Sequence, residues 1–424
     1  MSTRWPALAI AVLLAACRGR SLSAPTADWN PRPGARAEAA ALLLLDKDGM
    51  AKVTCLPARA GPRQLLRGIA LRRILDVSWN GGPLLAGSAA AAGDKEQSSI
   101  GELVLLGPRG EPRRLAKDVQ SARFSPDAGA LAYEVAQPST AGVSLPTTYV
   151  LELATDKVTR LSGFADPLWE ADGKHLRATQ LRAAGEAGRT SEAHWISLRA
   201  RWDRESGAST IDGRGSAQIP APVGEAVAWS EEQRSAMAPS QCAVFLRRQG
   251  GVKHSIVGRF CAGIADDRSV RWSPDGQWLA FPHPGPASSR HTPGAFFVDV
   301  VGIQGGRYPA LSELRAQARP AELALAVSPG AVSFDWSPSG RFLALSDGAD
   351  DLRLYDFEAH GTSALGKGQG PMWSPGGGYL LILASGQAVV LSGVTSGAGI
   401  VLGPARDARW LPAEAWRVEC SPAQ

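Results

Sequence analysis

No apolar run beyond the first 16 residues approaches the roughly 20 that a membrane-spanning helix needs, which excludes a polytopic helical membrane protein. A basic face is also missing once the charge is located. Of the net charge of +5, four lie in the first 36 residues: setting aside Arg4, Arg18, Arg20, Arg32, Arg36 and Asp28 leaves residues 37–424 with 40 basic and 39 acidic side chains. Phosphate binding needs concentrated positive charge, and Arg113, Arg114 and Lys117 stand scattered among acids, so no nucleic-acid partner is expected. No C-x-x-C pair exists, and the six histidines lack zinc spacing. No G-x-S-x-G elbow and no phosphate-cradling Gly-rich loop occurs. With no catalytic motif, neither an enzyme nor a cofactor is expected.

What is abundant is turn chemistry: 47 Gly and 30 Pro in 424 residues. At the N-terminus a short positive segment, Met1 to Arg4, precedes an apolar stretch from Trp5 to Ala16 and then Cys17, the layout of a secretory signal. Leu14-Ala15-Ala16-Cys17 resembles the lipobox of bacterial lipoproteins. The resemblance implies removal of residues 1–16 and acylation of Cys17, palmitate being one such chain; the alternative is an ordinary signal that ends near a cysteine. Two or three acyl chains anchor a protein stably where one does not. Residues 17–39, rich in Ala, Pro, Ser and Arg, read as a lipidated cysteine and flexible tether. Inner-membrane retention in lipoproteins is associated with Asp after the cysteine. Arg18 stands there, so the resemblance implies the outer membrane, facing the periplasm.

Residues 40–424 repeat one template. It is clear in RWSPDGQWLAF (271–281), DWSPSGRFLAL (335–345) and MWSPGGGYLLI (372–382), and looser in RFSPDAGALAY, LWEADGKHLRA and SWNGGPLLAG. AWSEEQRSAM and RWLPAEAWRV are degenerate copies. The anchor aromatics are Trp79, Phe124, Trp169, Trp229, Trp272, Trp336, Trp373 and Trp410, at intervals of 45, 45, 60, 43, 64, 37 and 37 residues. Such spacing suits four-stranded propeller blades, where periodic aromatics pack the core. Ser-Pro-Asp-Gly supplies a turn in order: Ser first, Pro presetting φ, Gly accepting positive φ. It joins a strand ending in the aromatic to an apolar second strand; third strands such as DLRLYDF (351–357) and short fourth strands follow.

The expected fold is therefore all-β, a propeller of eight blades, or seven if a weak copy is a loop. Its ring would close by a blade shared between both termini, with residues 41–56 supplying a third and a fourth strand. WSPDG followed by LAF resembles the TolB-like propeller repeats, bacterial relatives of WD repeats, over nearly all of 40–424. The resemblance implies the fold and not that family's particular partnership.

With Cys17 set aside, four cysteines remain. Shared closure would make Cys55 and Cys420 neighbours able to clasp the ring, and Cys242 and Cys261 fall on adjacent strands; buried free thiols are the alternative. His283 and His291 flank one loop, and Asp347, Asp350 and Asp351 share another; these are speculative ligand or metal groups, set against solvated surface chemistry and a short oxygen count for calcium. Long loops at 86–100, 134–146, 180–193 and 282–294, with an insertion at 305–330, cluster on one rim as a recognition face or as tolerated decoration. The expected role is a non-catalytic scaffold for a protein partner in the cell envelope, touching membrane only through its lipid. The alternative is a receptor or enzyme using the central channel for a glycan or peptide, which convergent charged groups at the channel mouth would mark.

Overall fold

The Ser-Pro-x-Gly turns organise the chain. In the computed structural model the N–H of Ser273 donates to the Trp278 carbonyl at 2.8 Å, and the N–H of Gly276 to the Ser273 carbonyl at 2.8 Å. Ser273 Oγ accepts the N–H of Trp278 at 2.9 Å and donates to Asp275. Ser125, Ser337 and Ser374 repeat the Oγ bond to Ala130, Phe342 and Tyr379. Each Ser hydroxyl thus satisfies a backbone donor that the tight turn would otherwise strand.

The structure describes residues 40–56, 63–64, 70–79, 83–89, 101–106, 112–137, 145–183, 195–216, 218–223, 226–235, 238–247, 254–258, 271–276, 278–284, 295–302, 328–329, 333–347, 349–358, 361–392 and 399–411. Every regular element among them is a β-strand, and every pairing is antiparallel. The strands β1 (Ala40–Leu45), β2 (Ala51–Leu56) and β3 (Arg63–Gln64) form one sheet with the last strand, at Asp407–Trp410. Seven strands follow in a single sheet: β4 (Leu71–Trp79), β5 (Pro83–Ala89), β6 (Gly101–Leu106), β7 (Pro112–Phe124), β8 (Ala130–Gln137), β9 (Leu145–Glu152) and β10 (Val158–Ser162). Two four-stranded sheets come next: β11 (Phe164–Trp169), β12 (His175–Ala183), β13 (Trp195–Asp203) and β14 (Ser209–Arg214); then β15 (Ile219–Pro220), β16 (Val227–Ser235), β17 (Ala238–Arg247) and β18 (His254–Gly258). A further sheet holds β19 (Arg271–Trp272), β20 (Trp278–Pro284), β21 (Ala295–Gly302) and β22 (Ser328–Pro329). The last two hold β23 (Ser333–Trp336), β24 (Phe342–Ser346), β25 (Asp351–Asp356) and β26 (Gly361–Lys367), then β27 (Gln369–Trp373), β28 (Tyr379–Ala384), β29 (Gln387–Ser392) and β30 (Ile400–Pro404); Asp407–Trp410 is β31. This is a β-propeller.

The seven-stranded sheet is two units run together. Residues 112–119 of β7 pair with β6 and residues 119–124 with β8, the strand turning at Asp118, whose φ is 58°. The sequence places a fourth strand at 111–117 and a new first strand before Phe124; no break separates them.

Two further expectations need correction. Trp229 does not end a first strand: it lies in β16, a second strand, paired with Phe245 of β17. The turn of that unit follows Ala221-Pro222-Val223, with the N–H of Ala221 bound to the Ala226 carbonyl at 2.8 Å, the bond Ser273 makes in its own turn. Without Pro or Gly, Ser-Glu-Glu-Gln after Trp229 runs on as strand. The sheet uniting the termini also divides differently. β31 supplies a first strand and β1, β2 and β3 the rest, with Leu42 opposite Trp410 and Leu45 opposite Asp407. β1 is buried along its whole length because its alternate faces meet different neighbours. Ala41, Leu43 and Leu45 pack with Ile74 and Val104, whereas Ala40, Leu42 and Leu44 pack with Leu381 and Val390.

Candidate functional site

A cavity of about 650 Å³ opens among the edge strands of six units. β4 contributes Arg73 and Asp76, β7 contributes Arg123, β11 contributes Asp166, β15 Ile219, β19 Arg271 and β31 Arg409, while Glu134 enters from β8. These strands are brought together by one recurring bond. The indole N–H of Trp169 donates to the Arg123 carbonyl at 3.2 Å, that of Trp272 to Ile219 at 3.0 Å, and that of Trp336 to Arg271 at 3.2 Å. Trp410 does the same to Met372 at 2.9 Å. Each acceptor sits one residue before the last residue of the first strand in the preceding unit, so the aromatics fasten neighbouring units at the cavity wall. A second set of bonds runs in the same sense, from one unit to the one before it: Phe124 N–H to Asp76 Oδ2 at 2.8 Å, Trp373 N–H to Asp335 Oδ2 at 2.9 Å, and Ile74 N–H to Asp407 Oδ2 at 2.8 Å.

The most perturbed part of the wall is the contact between Glu134 and Asp166. The register of β11 against β12 slips between Ala165 and Leu168, and Asp166 takes a φ of 52°, a left-handed conformation that costs a non-glycine residue about 1 kcal/mol or more. Its N–H donates to Glu134 Oε2 at 2.9 Å. Burial pushes the Glu134 carboxyl above the usual carboxylate range against the pull of that N–H, for the residue is only 6% exposed. Strain and a displaced carboxyl pKa together in a cavity are marks of functional sites.

Cations meet acids along the same wall. Arg271 Nη1 lies 3.4 Å from Asp335 Oδ1, and Arg409 Nη1 lies 3.0 Å from Asp407 Oδ1. Burial raises the Asp335 carboxyl, offset by Arg271 and by the N–H groups of Trp373 and Trp336. Arg73 donates to the Gln120 carbonyl.

The residues singled out by sequence are dispersed. Asp347, Asp350 and Asp351 are neighbours, each committed elsewhere. Asp347 Oδ1 accepts the N–H groups of Ala349 at 2.9 Å and Asp351 at 3.0 Å; Asp350 accepts from Gln369 at 2.6 Å; Asp351 pairs with Lys367 at 2.8 Å. His283 lies on β20 opposite Phe297, with its side chain outside the described residues, as is all of His291. Cys55 is disulfide-bonded. Cys17, Cys261 and Cys420 lie outside the described residues; Cys242 falls on β17 with an undescribed side chain, as does Trp79 on β4. The loops at 90–100, 138–144, 184–194, 285–294 and 303–327 are likewise outside them. Phe124, Trp229, Trp272, Trp336 and Trp373 are buried, and the Arg199 guanidinium lies 4.7 Å over the Trp229 ring.

A cluster that sequence reading missed lies on one hairpin. Glu170, Asp172 and His175 place possible metal-ligating atoms within 4.8 Å of one another. The chain's own cations meet the charge there. Glu170 pairs with Arg177 and Arg201, both at 2.8 Å, and His175 bridges Asp172 at 2.6 Å and Asp203 at 3.0 Å. Burial works against ionisation of Asp172, yet the His175 hydrogen bond and the N–H groups of Lys174 and His175 hold it at about 2. The cavity arginines had a readable signal. Arg123, Arg271 and Arg409 each directly precede an anchor aromatic, in RFSP, RWSP and RWLP.

No protein-family model and no curated protein matches the sequence. Solved structures share the architecture. The β-propeller domain of the trilobed protease from Pyrococcus furiosus is 12% identical, at a TM-score of 0.44, over 80% of this chain and 99% of that one. An oligogalacturonate lyase in complex with manganese is 14% identical, at 0.45, over 90% and 100%. Pyrococcus horikoshii acylaminoacyl peptidase is 13% identical, at 0.44, over 78% of this chain and 52% of that chain. The likeness is one of fold. The expectation of a non-catalytic scaffold without enzymatic activity is nonetheless corrected. The charged groups that converge on the cavity are the mark of the channel alternative.

Proposed function

We propose that the chain is an eight-bladed propeller that uses its central channel to hold a glycan or peptide, as a receptor or as an enzyme acting on it. The observation that carries this is the cavity itself: four arginines and three carboxylic acids from six strands surround about 650 Å³, a volume suited to a small ligand. An enzymatic reading is favoured by the contact of Glu134 with the strained Asp166 backbone, since burial raises the Glu134 carboxyl, the direction in which a general acid is tuned. The eight-blade count is supported by counting the β4–β10 sheet as two units, and closure by the pairing of β1 with β31.

The same reading takes Cys17 as the acylated anchor, with the propeller facing the periplasm from the outer membrane, and pairs Cys55 with Cys420 and Cys242 with Cys261. Acid hydrolysis and mass spectrometry of the N-terminal peptide test the anchor; acyl chains on Cys17 are expected.

The channel is tested by filling it. Gln120 is exposed on the cavity wall, so Gln120→Trp adds bulk there without disturbing the core. Native mass spectrometry of protein exposed to glycan and peptide mixtures should show a retained ligand in the wild type and none in Gln120→Trp. Equal retention by both would overturn the proposal.

A further inference from the structure

We propose that Glu134 is the proton donor of a glycoside hydrolysis carried out in the cavity, an inference that rests on the channel reading above. Two irregularities in the strands aim this one side chain. The register of β7 against β8 slips between Val119 and Ser121, with Gln120 as the extra residue, and Ser121 then stands opposite Glu134. The register of β11 slips between Ala165 and Leu168, where Pro167 has no N–H to give to a ladder. Bulges of this kind re-aim side chains beside active sites. Glu134 reaches the cavity from a second strand, whereas the other charged groups of the lining come from first strands.

A carboxylate that merely fixes the wall is the plain alternative, and the bonding argues against it. Asp76 accepts the N–H groups of Phe124 at 2.8 Å and Val77 at 2.9 Å. Asp407 likewise accepts those of Ile74 at 2.8 Å and Ala408 at 2.9 Å. Glu134 accepts one alone, from Asp166 to Oε2, and among the described residues no cation is paired with it. Its neighbours across the ladders, Ser121 and Thr148, are uncharged, and Asp166 is the titratable residue against it. Burial of such a carboxyl favours the neutral acid. With Oε2 engaged as an acceptor, the proton falls to Oε1.

Glycoside hydrolysis needs a second carboxyl, and Asp166 brings one to the same cavity from β11. The Glu134 proton passes to the glycosidic oxygen as the bond from that oxygen to the anomeric carbon breaks. A water oxygen forms the new bond to that carbon, and the proton this water loses goes to the Asp166 carboxylate. Solvent then restores both carboxyls, so one water is consumed for each bond cleaved. Peptide cleavage by a carboxyl pair needs the two groups to share a proton. Glu134 instead meets the Asp166 backbone N–H, which favours a glycan. The wall suits an uncharged one: Arg271 pairs with Asp335 and Arg409 with Asp407. Leu168 and Trp169 offer apolar surface to a sugar ring.

Paired aryl glycosides test the role, because dinitrophenolate leaves without a proton and phenolate needs one. The purified chain is expected to hydrolyse both members of at least one pair among the glucosides, galactosides, mannosides and xylosides. Glu134→Gln should lose about 10²–10⁴-fold in kcat on the phenyl member and less than about tenfold on the dinitrophenyl member. The alkaline fall in the wild-type kcat/KM should vanish in that variant. Asp166→Asn should slow both members alike, and a thermal melt of each variant distinguishes lost chemistry from lost fold. Full activity in either variant overturns the inference, as does an equal loss on both members in Glu134→Gln. If the wild type retains a glycan that Gln120→Trp does not, yet cleaves no pair, the channel reading stands and this one falls. If Gln120→Trp retains and cleaves as the wild type does, both fall.

Discussion

Trp336 donates its indole N–H to the carbonyl of Arg271 at 3.2 Å, so the aromatic of one propeller unit is fastened to the residue preceding the aromatic of the unit before it. Trp272 repeats the bond to Ile219, and Trp410 repeats it to Met372. Packing and hydrogen bonding are therefore separable at one residue. Trp336→Phe keeps most of the ring and removes one hydrogen bond, leaving the Arg271 carbonyl to be satisfied otherwise; it should cost about 1 kcal/mol in urea unfolding. Trp336→Ala also vacates space beside Phe334 and Leu343 and should cost about 3–5 kcal/mol. Equal losses in the two variants would contradict the bonding role.

The turns predict opposite signs at equivalent positions. Gly276 has a φ of 68°, and a Cβ there would stand 2.7 Å from the Val223 carbonyl oxygen of the preceding unit. Ala128 occupies the same turn position with a φ of 53°. Gly276→Ala should destabilise by about 1–2 kcal/mol or more, from left-handed strain plus the backbone clash. Ala128→Gly should be neutral or mildly stabilising, since relief of strain is offset by a freer unfolded chain. Thermal melts of the two variants check the pair, and a large loss in Ala128→Gly would refute the account of the turn.

Glu134 predicts a pH signature. Its folded carboxyl is raised by burial, so the folded state holds the proton more tightly than the unfolded chain does. The contribution to stability is complete below the ordinary glutamate range and is lost as pH rises through the folded value. Glu134→Gln stays neutral and can still accept the Asp166 N–H. Relative to the wild type it should gain stability as pH rises from about 4 towards neutrality. A difference independent of pH would show that the carboxyl is not perturbed.

Much of the fold was legible because the turn grammar is explicit: Ser125, Ser273, Ser337 and Ser374 each open a Ser-Pro turn and accept the same backbone N–H on their hydroxyl, even though Ala128 replaces the glycine in the first. The aromatic is a weaker guide than the turn: Trp229 lies beyond the turn at Ala221-Pro222-Val223, whose first strand has no aromatic anchor. The terminal sheet was expected, but its strands were misassigned, because only pairing reveals that both faces of Ala40–Leu45 are covered. The site was mostly hidden. A charged residue before each aromatic reads as solvated until the units are arranged in space, and the slip at Asp166 depends on its contact with Glu134, 32 residues earlier.

The disulfide of Cys55 makes a covalent prediction. If it joins Cys420, a nonreducing peptide map will contain the two strand ends linked, and reduction will lower the melting temperature by the equivalent of up to about 6 kcal/mol in the loop-entropy limit. A linkage of Cys55 to Cys242 or Cys261 would contradict the pairing.

The central claim is that the channel, rather than the outer face, does the work. Hydrogen exchange of the protein with and without its captured ligand tests it most directly. New protection is predicted at Leu71–Trp79, Phe164–Trp169 and Asp407–Trp410, the edge strands that line the cavity. Protection confined to Val158–Ser162, Ser209–Arg214 or Ile400–Pro404, at the opposite edges of their sheets, would contradict it.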